Sequence, residues 1–310
     1  MAAFVEDTTP WAGGKVTDHT WCVVGDNASP MTYTGTNTWI LHEPGSLTAL
    51  VVDPAPSGKH VQKIQAVCAE LRVRVAAIIL THTHFDHTEG AADLALETGA
   101  PIFVYNVQAY CDYVLEQVQQ GTINAYKDGS HDFANSIDVL EALDIFQLHE
   151  GSFDDNQIES AIGLPQLEVI AMSGHSSDSV ALLYRADRSL IVGDLLFRHG
   201  PTVVYHPDGI LKDYLESLDK LERIAQGGMV DRFLPGHGYP ITDMLTCIEV
   251  TREHRLIRLQ QIEEALEAGV DSSADLLVDA IYRDTDPRLR PAAIRSVQAQ
   301  LRYLNYDVKD

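Results

Sequence analysis

Apolar and polar positions change their period along this chain. The first 55 residues read as short strands separated by turns, at Trp21–Gly25, Asn37–His42 and Thr48–Val52, the last ending in Asp53-Pro54. An amphipathic helical stretch, Gly58–Arg72, follows, and then the apolar strand Ala76–Leu80, which runs straight into Thr81-His82-Thr83-His84-Phe85-Asp86-His87. A helix around Ala91–Glu97 and a strand at Pro101–Tyr105 come next. The stretch 121–165 shows no usable period and reads as a pocket lid or a dimer contact. Strands return at Leu167–Ala171, Ser179–Tyr184 and Ser189–Val192, followed by a helix at Leu211–Ala225 and a strand at Asp231–Leu234. From about Asp243 the period is helical: Ile248–Ala268, Ser272–Ile281 and Pro291–Tyr303. Strands interleaved with helices predict α/β layering. The change of period near residue 245 predicts a large domain over 1–245 and a small helical domain over 246–310.

Composition sharpens this picture. Hydrophobic residues at 45% and charged residues at 22% of 310 positions belong to an ordinary globular chain, which excludes a disordered or low-complexity protein. The 22 basic and 45 acidic residues leave a net charge of −23, which disfavours nucleic acid as a partner. Residues 248–310 are nearly balanced, so the negative charge belongs to the large domain. Cys22, Cys68, Cys111 and Cys247 have neither zinc-knuckle nor disulfide-framework spacing. No basic leader or membrane-length apolar run is present, so a cytoplasmic setting without a membrane partner is expected.

The candidate chemistry lies at the strand ends. Three imidazoles and a carboxylate within six residues, His82-x-His84-x-Asp86-His87, are costly to crowd together unless a cation compensates them. On an extended segment or tight turn, alternation would point His82, His84 and Asp86 one way and His87 another. Imidazole and carboxylate donors suit zinc and its neighbours in the first transition row. Three further segments each place one ligand-type side chain in a small-residue turn after a strand: Ser173-Gly174-His175, Gly193-Asp194 and Pro235-Gly236-His237-Gly238. His19, His42, His60, His131 and His149 stand alone and read as ordinary structural histidines.

In this order the motifs resemble the metallo-β-lactamase superfamily, over about residues 20 to 240. The resemblance implies an αββα sandwich with two divalent metal ions, zinc first and iron or manganese as alternatives. His82, His84 and His175 would hold one ion, Asp86, His87 and His237 the other, and Asp194 would bridge them. Asp194 and Asp86 then become the catalytic carboxylates of a hydrolase that uses a metal-activated hydroxide. Met31 through Trp39, Gly193 through Tyr205, and Glu253-His254-Arg255 are similar to the lactamase-beta-two-like branch, whose C-terminal domain is winged-helix-like. Ser173 departs from the proline usual there, and an end at Asp310 leaves little room for a wing. The complete ligand set, similar to glyoxalase II, implies a small ester or thioester substrate. A single-strand endoribonuclease and an iron-dependent sulfur dioxygenase-like oxygenase are the alternatives. Tyr205, His199 and His206 are expected to face the metals, Ser176, Ser177 and Asp178 to serve their own turn, and a homodimer is the expected assembly.

Overall fold

Two sheets pack face to face, and the period-two pattern decides which side chains lie between them. The computed structural model describes residues 4, 9–120, 143–152, 167–283 and 285–308, so most of the stretch 121–165 lies outside the described residues. The first sheet runs in order β1 (Gly14–Lys15), β2 (Thr20–Val24), β3 (Asn37–Leu41), β4 (Thr48–Val52), β5 (Arg74–Ile79), β6 (Ile102–Val104) and β7 (Ile145–Gln147). Its pairings are antiparallel up to β4 and parallel from β4 to β7. The second runs β12 (Arg232–Pro235), β11 (Ser189–Gly193), β10 (Val180–Tyr184), β9 (Leu167–Ala171) and β8 (Gly151–Ser152), with β11 and β12 parallel.

Trp39, Leu41, Leu50, Val52, Ala77 and Ile79 share the inter-sheet core with Leu182, Tyr184 and Ile191. Their neighbours Ile40, Ala49, Val51 and Ile78 face the other way. There they pack with residues of α1 (Lys59–Leu71), α3 (Ala91–Thr98) and α4 (Val107–Gln119). Ala181, Leu183, Leu190 and Val192 likewise meet α5 (Leu211–Gln226) and the start of α6 (Met244–Glu267). Both sheets are buried on both faces, which gives the αββα layering.

A separate core holds Ile262 of α6 against Leu277 of α7 (Ala274–Ile281) and Val297 and Leu301 of α8 (Arg290–Tyr303). The expected division at 245/246 falls within α6, whose first half packs on the sandwich and whose second half packs on α7 and α8. Among the described residues no strand follows Pro235.

Besides β7, β8 and a 3-10 turn at Pro287–Leu289, three elements were not anticipated. β1 is two residues long, too short to show a period. α4 buries Tyr110, Cys111 and Val114, but its intervening Gln and Asp residues dilute the apolar signal. The third, α2 (Phe85–Thr88), is a single helical turn in the middle of the histidine motif.

Candidate metal centre

The loops that leave β5, β9, β11 and β12 converge on one edge of the sandwich. His82 and His84 follow β5, Asp86 and His87 sit in α2, His175 follows β9, Asp194 follows β11 and His237 follows β12. They fall into two groups, His82, His84 and His175 in one and Asp86, His87, Asp194 and His237 in the other. The potential donor atoms of each group lie within 4.8 Å of one another. Alternation had placed Asp86 with His82 and His84. It joins His87 instead, because α2 begins right after His84 and helical geometry replaces the extended period. Asp194 lies between the groups: Oδ2 is 3.8 Å from His175 Nε2 and 3.5 Å from His237 Nε2, while Oδ1 is 3.1 Å from His87 Nε2.

Supporting hydrogen bonds choose which ring nitrogen faces inward. His175 Nδ1 lies 2.6 Å from the Val203 carbonyl and His237 Nδ1 lies 3.2 Å from that of Gly35, so each presents Nε2. His87 Nδ1 meets Asp53 Oδ2 at 2.9 Å. The same oxygen accepts from Thr81 Oγ1 at 2.7 Å, and that hydroxyl is 3.0 Å from His82 Nδ1. One fully buried carboxylate thus orients an imidazole in each group. His84 differs by presenting Nδ1, 2.9 Å from His175 Nε2. Among the described residues the buried Nε2 atoms of His82, His87 and His237 and Oδ1 of Asp194 have no hydrogen-bond partner. Burying these atoms without hydrogen bonds is costly, and a cation at each group would offset the cost. The residues therefore fit a pair of divalent ions.

Electrostatics divides the groups in the same way. Burial, helped by neighbouring histidine charge, holds His82 well below the ordinary histidine range and His175 at about 4. Burial also opposes protonation of His87 and His237, but the Asp194 carboxylate overrides it. His87 rises well above the ordinary range and His237 to about 9. Burial would push the carboxylates up, yet the facing histidine cations bring Asp86 down to about 2 and Asp194 well below the usual value. His82 and His175 of the first group are neutral imidazoles, and the second group pairs carboxylates with cationic ones.

Close backbone packing makes room for this cluster. A Cβ on Gly236 would sit 2.3 Å from Asp194 Oδ1 and 2.6 Å from His87 Cε1. Gly174, at φ +133, would place one 2.2 Å from the backbone nitrogen of Tyr214. The Asn37 amide donates to the carbonyls of Pro235 (3.0 Å) and Gly238 (2.7 Å), and Thr36 Oγ1 donates to that of Asp86 (2.7 Å). The Met31–Trp39 segment is thereby a latch on both ligand-bearing turns. Asp53, Thr81 and Asn37 were not singled out as site residues, although Asp53-Pro54 closing a strand was a visible signal.

A cavity of about 570 Å³ opens onto the cluster, with His84, Asp86, His175 and Asp194 in its wall. Tyr205 also lines it, its ring 6.2 Å from that of His84. His199 packs instead between Tyr33 and Tyr239, and His206 is buried away from the cavity wall. Ser176 bonds to Asp178 and Ser179 within its own turn, whereas the Ser177 backbone nitrogen donates across to Asp208, 31 residues on in another loop. His19, His42 and His60 lie outside both donor groups, and His131 lies outside the described residues. The far wall belongs to the small domain: His254, Arg255 and Arg258 of α6, then Tyr282, Leu289 and Ser296.

Residues 31–237 match the family model described as the metallo-beta-lactamase superfamily, and residues 273–307 match that of the beta-lactamase associated winged helix domain. A Caenorhabditis elegans protein named beta-lactamase-like protein 2 homolog is 26% identical over 294 residues, covering 94% of this chain and 86% of the relative. An Aspergillus fumigatus protein named atrochrysone carboxyl ACP thioesterase is 25% identical over 273 residues, covering 84% and 72%. The crystal structure of a beta-lactamase domain protein from Burkholderia ambifaria superposes with a TM-score of 0.68 at 22% identity, covering 96% of this chain and 89% of that one. That likeness shows the fold.

Proposed function

The chain belongs to the metallo-beta-lactamase superfamily, and from that premise we propose that it is a binuclear metal-dependent hydrolase acting on a small ester or thioester. The observation that carries the reading is the pair of adjacent donor groups facing one cavity of substrate size. The similarity to a protein named as a thioesterase supports the ester or thioester choice. His82, His84 and His175 would hold one ion, Asp86, His87 and His237 the second, and Asp194 both. When bound, divalent ions supply Lewis acidity and lower the pKa of a water toward neutrality, with zinc as the first candidate for this donor set.

The chain's own groups supply the rest. Asp194 has an oxygen toward each group and sets their spacing. Asp86 is 30% exposed, is held ionised and lines the cavity, so it accepts the proton released when water adds to the carbonyl and returns it to the leaving oxygen or sulfur. Tyr33, whose hydroxyl burial and then the Asp194 charge keep protonated, is a hydrogen-bond donor on the same wall. Among the described residues no helix is long and apolar enough to cross a membrane. A small-molecule substrate, a cytoplasmic setting, the domain division at 245/246 and a homodimer belong to the same proposal.

The test is elemental analysis of protein purified without chelator, paired with a panel of thioesters, esters, phosphodiesters and single-stranded RNA. Two metal equivalents with ester or thioester turnover are expected. RNA cleavage without ester turnover, or one iron with oxygen consumption, would move the chain to a different activity.

A further inference from the structure

The small domain brings two guanidinium groups to the cavity. Arg255 and Arg258 lie three apart on α6, on one face of the helix, and both line the cavity. Arg255 is 2% exposed. It donates to the Thr202 carbonyl, lies 5.3 Å from the centre of the Tyr214 ring, and leaves its Nε without a partner. Arg258 donates to Gln261 Oε1 at 2.9 Å and to the Ile281 carbonyl at 3.1 Å. Its guanidinium lies 4.3 Å from the Tyr282 ring centre, and its Nε is also unpartnered.

Among the described residues no carboxylate pairs with either arginine. Arginine does not shed its proton, and a buried guanidinium without a counter-charge is unfavourable. The other arginine of α6, Arg252, has two acidic partners, Asp219 and Glu222. In a chain of net charge −23, two cations on one cavity wall with no carboxylate partner among the described residues distinguish this wall. His254 beside them is held neutral, by burial first and then by the two arginines, so it neither competes for an anion nor adds to the charge. Met31, Phe197, Val203 and Leu289 supply apolar lining to the same cavity.

We propose that Arg255 and Arg258 form an anion-binding subsite, so that the substrate has an apolar body carrying a carboxylate or phosphate in addition to the bond that is cleaved. A planar guanidinium can take two oxygens of such a group at once. The choice of a cleaved ester or thioester rests on the hydrolase reading above. The anion subsite does not.

The experiment is calorimetric titration of the metal-loaded protein with hexanoate, adipate and 6-phosphonohexanoate, in wild type, Arg258→Gln and Arg255→Lys. All three probes offer a carboxylate to the metals, and the second and third add a second anion. The wild type is expected to bind one of the doubly anionic probes at least tenfold more tightly than hexanoate, and the tighter one identifies carboxylate or phosphate. Arg258→Gln is expected to bring that ratio to about one with hexanoate unchanged. Arg255→Lys keeps the buried charge, which guards against a folding defect, and is expected to give an intermediate ratio. Equal wild-type binding of all three probes would overturn the subsite, and so would equal weakening of every probe by Arg258→Gln. Selective binding without hydrolysis of any ω-carboxy or ω-phosphono ester would keep the subsite and reject the hydrolase.

Discussion

Asp53 offers the sharpest test of how the centre is held. Its side chain accepts from the Thr81 backbone nitrogen at 2.8 Å on Oδ1, and from Thr81 Oγ1 and His87 Nδ1 on Oδ2. Asp53→Asn retains size and the Oδ1 acceptor but replaces Oδ2 with an NH2 donor. His87 Nδ1 must then accept a hydrogen bond from that NH2, which moves the ring proton to Nε2 and blocks that atom as a ligand. Through Thr81 the same reversal reaches His82. Loss of such an orienting contact typically costs 10- to 100-fold in metal affinity, about 1.4–2.7 kcal/mol at each group. Asp53→Ala would also strand the buried Thr81 N–H, for roughly 1–3 kcal/mol of fold stability. Competition against a chromophoric chelator reads the affinities, and urea denaturation of chelator-treated protein reads the fold. Asp53→Asn should weaken both metals, whereas Thr81→Val, which severs only the His82 branch and keeps the His87 contact, should weaken one. Wild-type affinity for both metals in Asp53→Asn would refute the tautomer argument.

Other outcomes follow from the same geometry. Asp86→Ala and His175→Ala should each lose a metal and activity together, read by elemental analysis beside the ester assay. Full activity in either would reject the assigned ligands. Gly236→Ala pushes a methyl group into Asp194 and His87, so activity should fall at least 100-fold with loss of metal, while far-ultraviolet circular dichroism stays native. The metal-free protein should be most stable near pH 6.5. His175, depressed to about 4, contributes stability that is present above the unfolded value near 6.5 and is lost as pH falls through 4. His237, raised to about 9, contributes stability that is fully present below about 6.5 and is lost as pH rises through 9. Denaturation midpoints of chelator-treated protein between pH 4 and 9 should trace this maximum, and a monotonic trend would contradict the assigned shifts.

How much of this was legible in the sequence depended on whether the signal was local. The strands Thr48–Val52 and Leu167–Ala171 were visible to the residue because each is a short, mostly apolar run bounded by turn-forming residues, and the seven ligand candidates because each sits in a turn directly after such a strand. Grouping was legible only through the family resemblance, which set Asp86 with His87 and His237, and not through local alternation. One helical turn at Phe85–Thr88 moves Asp86 from the His82 side to the His87 side, and four residues are too few to declare a helical period. Asp53, Asn37 and Arg255 were harder still, since their roles are contacts across 28 to 201 positions of chain. In sequence, Asp53 is a strand-ending turn residue and Arg255 is one of three arginines on α6. What separates Arg255 from Arg252 is that, among the described residues, it has no acidic neighbour in space, a property that no window along the chain contains. Residues that bind an ion announce themselves by crowding donor atoms together. Residues that hold those donors, or that select what enters the cavity, are conspicuous only once the fold has shown which of their partners are missing.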